Sequence, residues 1–430
     1  MRRLFLFEGK KVLKKKTTWA AFFLTIAAVI GLYFFNYSIA KSNHQGNIAR
    51  LDYIIETYQK WVNDTKVEKE EAEKDGNRKK VKSLTAEIKR IQKSNSKYIT
   101  RKENYINENW HKIYKEQIPD LHDWLDNFND QSRGYEGSDQ NINNFTSRAT
   151  LEEVLLIEKN DVTPFIQNSI YTPYLPTIYD EFTGTVKETW EQETKRYATT
   201  GLSYIYQLIQ QLYIPIFIII GCFIFANNIS SDTSNKKKGL NFYFVLPIQK
   251  KKLFIAKYLS GFIYTLGFVV FMLLVPLLCS LFTKGLGSFK YPVLIYEGSE
   301  PNPYNSEYNI LDPLKDQFHF IHLSSYLLQA LLLSIVLVIF LYSFYYVLSL
   351  FVRNPIVTAI LVGIITFLGL KYPAAYNPFT YVDIHKILNG ETATLAFNPA
   401  IDLQNGMFVL LGIGCLMTLL GYIRFSKLSN

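Results

Sequence analysis

The chain has 430 residues, and 48% of them are hydrophobic, yet its mean hydropathy is only +0.03, so apolar and polar material is segregated along it. The three cysteines, Cys222, Cys279 and Cys415, all lie inside apolar runs and read as buried structural thiols, which excludes a disulfide scaffold and a cysteine-based zinc cluster. The net charge of +9 is also segregated: residues 1–17 and 227–257 each carry seven Lys/Arg and one acid, whereas 41–200 carry 24 basic and 27 acidic residues, a distribution that fits positively charged inner loops and excludes a nucleic-acid footprint.

The first 17 residues place Leu4, Phe5, Phe7, Val12 and Leu13 among the basic residues, and this predicts a cytoplasmic helix lying on the membrane surface against anionic lipid; the plainer reading is an orientation signal alone. Thr18–Ala40 is an uncharged run of 23 residues, long enough to cross the bilayer. Ser38-Ile39-Ala40 could pass for a cleavage site, but the apolar stretch is too long for a cleaved leader and further spans follow, so a retained anchor is expected.

Residues 41–200 form the one large polar region. Ile48, Leu51, Ile55, Tyr58 and Val62 make one apolar stripe, and Val81, Leu84, Ile88 and Ile91 make another, continued by Tyr98 and Tyr105. Asp75-Gly76-Asn77 between them reads as a turn, giving an antiparallel helical hairpin. Residues 126–147 read as loop, Pro164, Pro173 and Pro176 break any long helix, and Phe182–Thr200 is a polar helix candidate.

Five more apolar runs follow: Leu202–Ala226 with Pro215 inside it, Leu253–Phe282 with Lys257 at its start, Leu323–Val352, the short Pro355–Leu370, and Met407–Ile423. The expected fold is therefore an all-α polytopic membrane protein. It has six transmembrane helices and a large, mainly helical extracytoplasmic insertion, 41–200, between the first (18–40) and the second, with five helices in 201–430. Placing both termini inside puts 1–17, 227–252, 353–354 and 424–430 in the cytoplasm with a summed charge of +15, counting Lys257, and leaves −6 on 41–200, 283–322 and 371–405 outside.

Catalytic motifs are missing from the sequence. There is no GxxxxGK[ST], HExxH, GxSxG or CxxC string, and Gly412-Ile413-Gly414 lacks the third glycine of a dinucleotide site, so neither an enzyme nor a cofactor is expected. His319-x-x-His322 would put two imidazoles on one face of a helix start, without a third ligand for a metal. Charge within the spans is nearly absent, which argues against a proton- or ion-coupled carrier and for an external energy source.

The informative stretch is the inner loop. Gly239 is followed by Leu246-Pro247-Ile248, then Lys250 to Lys252, then Ala256-Lys257; Leu240, Phe244 and Val245 share one helical face, and Pro247 breaks the helix. On composition alone this is a positively charged inner loop. It resembles the coupling loop of ABC-2 type transporter permeases, in which a glycine, a later Leu-Pro and a basic patch lead into the third span. Phe7-Glu8-Gly9-Lys10-Lys11 resembles the family's opening, and Asn377-Pro378-Phe379 to Gly390 its segment before the last span. The resemblance covers 1–40 and 202–430; 41–200 have no counterpart. The family commonly has a Glu shortly before the glycine. Here Asn235 and Lys236 to Lys238 stand there, and the nearest acid is Asp232.

The resemblance implies a non-catalytic permease subunit in a bacterial plasma membrane. It would pair with a second copy or a paralogue and with a separate cytoplasmic ABC ATPase, and would export an amphiphilic, peptide or lipid-like substrate. Asp232, Gly239, Leu240, Phe244, Val245, Leu246 and Pro247 would form the ATPase-coupling unit. The alternatives are a sensor or resistance component that binds an antimicrobial peptide through the outer region, and an envelope-assembly scaffold. Membrane lipid is an expected partner and nucleic acid is not.

Overall fold

The computed structural model describes residues 2–130, 142–180, 182–226, 249–298, 300–301, 311–312 and 318–427. Among them are fourteen α-helices and three two-stranded antiparallel ladders. The chain divides into two compact units, one of residues 1–34 with 200–430 and one of residues 35–199.

In the second unit, helix α2 (Lys16–Lys74) ends where Gly76 takes a φ of +68°, a conformation that glycine adopts without a Cβ penalty. Asn77 then caps α3 (Arg78–Ile106) by accepting a hydrogen bond from the Lys80 N–H at 3.2 Å. The two helices meet through Tyr58, stacked on Tyr98 at 5.4 Å between centroids, and through the ion pair of Asp52 with Lys102. Helix α4 (Trp110–Asp130) packs on α5 (Asn144–Asn160) through Leu121, Leu125, Leu151 and Val154, with Tyr114 and Ile118 against them. The loop expected over 126–147 is thus shorter at both ends: helix runs to Asp130 and resumes at Asn144, whose turn is capped by Asn143. The short pair β1 (Ile166–Gln167) and β2 (Arg196–Tyr197) is held to α2 by Asn47, which donates to the Gln167 carbonyl at 3.0 Å. Arg196 donates to both carboxylate oxygens of the buried Glu153 at 2.7 and 2.9 Å, an interaction that satisfies both charges. The helix expected over 182–200 is only α6 (Gly184–Glu193), because β2 claims the residues after it.

The first unit contains helix α1 (Arg2–Leu13) and the start of α2. The run expected as one span over 202–226 is two helices, α7 (Gly201–Gln210) and α8 (Tyr213–Phe225), bent by 81°. Leu212 between them is left-handed at φ +60°, and Pro215, lacking an N–H, sits in the first turn of α8, where that donor is not needed. Then come α9 (Lys250–Ser280), α10 (Leu323–Val352), α11 (Pro355–Gly369) and α14 (Leu403–Lys427). Before the last lie a 3-10 turn (Pro378–Val382) and the short α12 (Ile384–Leu388) and α13 (Glu391–Leu395).

Helices α2, α9, α10 and α14 are long and apolar enough to cross a membrane, and the bent pair α7–α8 is a fifth if it forms one span. Helix α11 is shorter: its 15 residues reach about 22 Å, against a hydrocarbon core of roughly 30 Å. Helix α10 is the centre of the unit, with Tyr326, Phe340, Tyr342, Tyr345 and Tyr346 fully buried. Its own polar groups turn inward: Ser334, Ser343 and Ser349 donate to carbonyls of the same helix at 2.5, 2.7 and 2.7 Å. Gly414 of α14 lets that helix approach the backbone of Phe340 closely; a Cβ there would lie 3.4 Å from its Cα.

Strand β3 (Pro292–Tyr296) pairs with β6 (Phe318–His322), and β4 (Glu300–Pro301) with β5 (Leu311–Asp312), so the described residues of 283–322 include strands that an all-α reading did not expect. The expected helical His pair is corrected by the same ladder. His319 and His322 lie three apart on a strand, so they point to opposite faces. His319 pairs with Glu297 at 2.6 Å, and His322 reaches the Lys290 carbonyl at 3.4 Å. Cys222 and Cys279 are buried, whereas Cys415, expected to be buried, is exposed on α14, on a flank with Leu411 and Leu419.

Candidate functional site

The predicted coupling residues Asp232, Gly239, Leu240, Phe244, Val245, Leu246 and Pro247 lie outside the described residues, as does the rest of 227–248. The structure does describe both ends of that loop.

On the upstream side, α8 ends at Phe225, stacked on Tyr264 of α9 at 5.8 Å and packed edge-on against Phe268 at 5.8 Å. The fit is tight at two glycines. A Cβ on Gly261 would lie 3.3 Å from the Phe225 carbonyl oxygen and within 2.2 Å of the Tyr342 hydroxyl, and one on Gly221 would lie 3.0 Å from Phe268. On the downstream side, α9 begins at Lys250, whose ammonium donates to the Ser426 carbonyl of α14 at 3.2 Å. Phe254, one turn on, is enclosed by Tyr346, Tyr422 and Phe425 at 5.4, 5.4 and 5.6 Å. The Tyr258 hydroxyl shares hydrogen bonds with Ser343 at 2.7 Å and Thr418 at 3.2 Å, and the Tyr342 hydroxyl donates to the Tyr258 carbonyl at 2.9 Å. Both ends of the loop are therefore fixed on α9, and α9 is fixed to α10 and α14.

Helix α1 joins the same element. Glu8, Gly9 and Val12 form its buried face. The Lys257 ammonium donates to a Glu8 carboxylate oxygen at 3.0 Å, and the two side chains are 1% and 0% exposed. The second Glu8 oxygen has no hydrogen-bond partner among the described residues. Gly9 permits the approach: a Cβ there would lie 2.7 Å from the Tyr264 hydroxyl. A buried ion pair of this kind fixes register more than it adds stability, because desolvation offsets much of the attraction. Reading the sequence by composition missed the pairing. Its signal is nonetheless present: Glu8 is the single acid of residues 1–17, and Lys257 is the single charge of the run 253–282.

The other motif residues hold together the cap that precedes the last helix. Asn377 accepts from the Phe379 N–H at 3.1 Å and donates to the carbonyls of Gly369 and Tyr372 at 3.0 and 2.8 Å. Phe379 packs edge-on against Phe340 and Phe344 of α10. Gly390 has a φ of +78°, and a Cβ there would lie 2.3 Å from the Tyr296 carbonyl oxygen. His385 is half-buried, with the Tyr326 hydroxyl 2.9 Å from Nδ1 and the Asn389 amide 3.3 Å from Nε2; desolvation of the ring holds its pKa down at about 3. Asp383 caps α12 through the Lys386 N–H at 3.1 Å, and burial pushes its carboxyl up to about 6. These groups serve packing and capping, and among the described residues no cluster of three or more His, Cys, Asp or Glu could hold a metal ion.

A family model described as "ABC-2 family transporter protein" matches residues 15–421. No curated protein and no solved structure matches the chain.

Proposed function

The chain belongs to the ABC-2 family of transporter proteins, and on that premise we propose that it is the permease subunit of an ATP-driven exporter. It is a multi-pass membrane protein and a membrane transport component, of a family generally without catalysis of its own. The family implies association with an ABC ATPase and often a dimer. The observation that carries the reading is the family match over nearly the whole length.

In this reading the six apolar segments all cross a bacterial plasma membrane with both termini inside, 1–17 lie along its inner surface, and 41–200 lie outside between the first and second spans. The loop 227–252 docks in a groove of the separate ATPase through Leu240, Phe244 and Val245. Gly239 and Leu246-Pro247 set its turns, and Asp232 supplies the acidic contact. Closure of the ATPase on ATP moves the loop, and the anchored ends described above pass that displacement to α9, α1 and the bundle. The substrate class we propose is amphiphilic, a peptide or lipid, because the spans are aromatic and nearly uncharged.

The test is co-purification with an ABC ATPase co-expressed from a neighbouring gene, where one is found, and measurement of ATP turnover. Phe244→Asp should insert normally yet lose the ATPase, since burying a Phe contributes roughly 1.5–3 kcal/mol and a desolvated carboxylate adds to the loss. A variant that binds and stimulates the ATPase like the parent refutes the coupling assignment.

A further inference from the structure

An apolar cavity of about 400 Å³ lies beside the junction of α1 and α2, within the roughly 300–1,000 Å³ of small-molecule sites. Its wall includes Leu13, Thr18, Trp19, Phe22, Gly267 and Phe268. The Trp19 indole N–H donates to the Leu13 carbonyl at 2.7 Å, which fixes the ring at the junction, and Phe22 packs on Phe268 at 6.0 Å. Gly267 leaves the space open, for a Cβ there would meet nothing within 4 Å.

Leu13 and Thr18 of the wall are flanked in the chain by lysines. Thr18 is 4% exposed, and its hydroxyl has no hydrogen-bond partner among the described residues. Lys14 and Lys16, four and two residues before it, are exposed. The seven basic residues of 1–17 face only one acid, Glu8, and that carboxylate is buried on Lys257. Among the described residues of 1–17, the exposed charge is therefore entirely cationic, while the cavity itself is apolar.

An occupant must combine an apolar chain with an anionic head. We propose that the cavity holds one acyl chain of a membrane phospholipid whose anionic headgroup is bound by Lys14 and Lys16 at the α1–α2 junction. A lipid tail gains little on leaving other tails for this wall, so selection comes from the head. Two lysines near the surface favour an anionic over a zwitterionic lipid by about tenfold or more. The site is independent of the transport reading and of which side of the membrane the loop occupies.

Native mass spectrometry of the full chain, purified in detergent and equilibrated with phosphatidylglycerol or phosphatidylcholine, tests it. The parent should retain one phosphatidylglycerol with at least about tenfold preference. Gly267→Phe fills the cavity and should lose that lipid, and the smaller Gly267→Leu should weaken it. Gly363→Phe, at a position on α11 that is also open but is not part of the cavity wall, should retain it. Lys14→Gln with Lys16→Gln should abolish the headgroup preference. Retention of phosphatidylglycerol at the parental level in both Gly267 variants, or equal retention of the two lipids by the parent, overturns the proposal.

Discussion

Replacing Lys257 by Met should destabilise the chain far more than replacing Lys257 and Glu8 together. In the parent the ammonium and carboxylate are 3.0 Å apart and out of solvent, and the carboxylate's second oxygen has no partner among the described residues. Lys257→Met strands that carboxylate, and breaking a buried pair in this way costs about 3–5 kcal/mol. Substituting both with Lys257→Met and Glu8→Gln removes the charge as well as the partner, and such replacements are often neutral or stabilising by about 1–4 kcal/mol. The difference between the single and double variants should therefore exceed about 3 kcal/mol, roughly a hundredfold in the folded-to-unfolded ratio. Equilibrium unfolding of the four proteins in detergent measures this as a double-mutant cycle. If the double variant is as unstable as Lys257→Met, the loss comes from packing of the lysine stem and not from the pair. If Lys257→Met unfolds like the parent, α1 does not hold Glu8 against α9.

Cysteines at Tyr58 and Tyr98, in a background lacking the native three, should cross-link within one chain, whereas Tyr58 with Ile91 should not, because the stacked rings fix the α2–α3 register. Gly390→Ala should lower stability by about 2–4 kcal/mol, since it adds a left-handed alanine and a Cβ driven into the Tyr296 carbonyl; a normal unfolding midpoint would contradict the close approach. The cap should also respond to pH in a way that a variant exposes. His385, held neutral in the fold, loses stability as pH falls from 6.5 towards 3, because the unfolded chain takes up the proton first. Asp383, whose carboxyl is raised to about 6, gains stability as pH falls from 6 towards 3.8, because the fold takes up the proton first. The two oppose each other in the parent. Asp383→Asn keeps the helix cap and should leave the His385 loss uncompensated, at about 1.4 kcal/mol per pH unit below 6; an unchanged pH profile of the unfolding midpoint would contradict it. Impermeant thiol reagents on intact cells should label a cysteine at position 90 but not one at 237, and the reverse pattern would overturn the proposed orientation.

What could be read from the sequence depended on whether a feature is local. The uncharged run from Leu323 to Val352 coincides with α10, because a helix apolar on every side needs no partner to declare itself. The bend at Leu212 left no trace: a left-handed leucine carries no sequence signal, and the nearby Pro215 was read as lying inside a single span when it stands in the first turn of a new helix. His319 and His322 were assigned a helical face because the residues after them are helical, while the ladder that governs them pairs them with Ile295 and Pro292, 24 and 30 positions earlier. The Glu8–Lys257 pair joins residues 249 apart, so each charge was visible alone and their meeting was not. Cys415 sits in an apolar run and was expected to be buried, yet a membrane helix also has an apolar face turned outward.

The serines of α10 bear on how the protein is made. A span is released into lipid in chain order, before α11 and α14 have been synthesised. A hydroxyl that depended on those later helices would enter hydrocarbon without an acceptor. Ser334, Ser343 and Ser349 each find one in their own helix, and the Tyr342 hydroxyl finds the Tyr258 carbonyl on α9, which is already in place. The bond between Ser343 and Thr418 of α14, at 3.0 Å, adds to a hydroxyl that is already satisfied. These serines can thus enter the bilayer early and wait there for α14, whereas the hydroxyls of Tyr326 and Tyr345 on the same helix gain His385 and the Pro355 carbonyl only once the residues after α10 have followed.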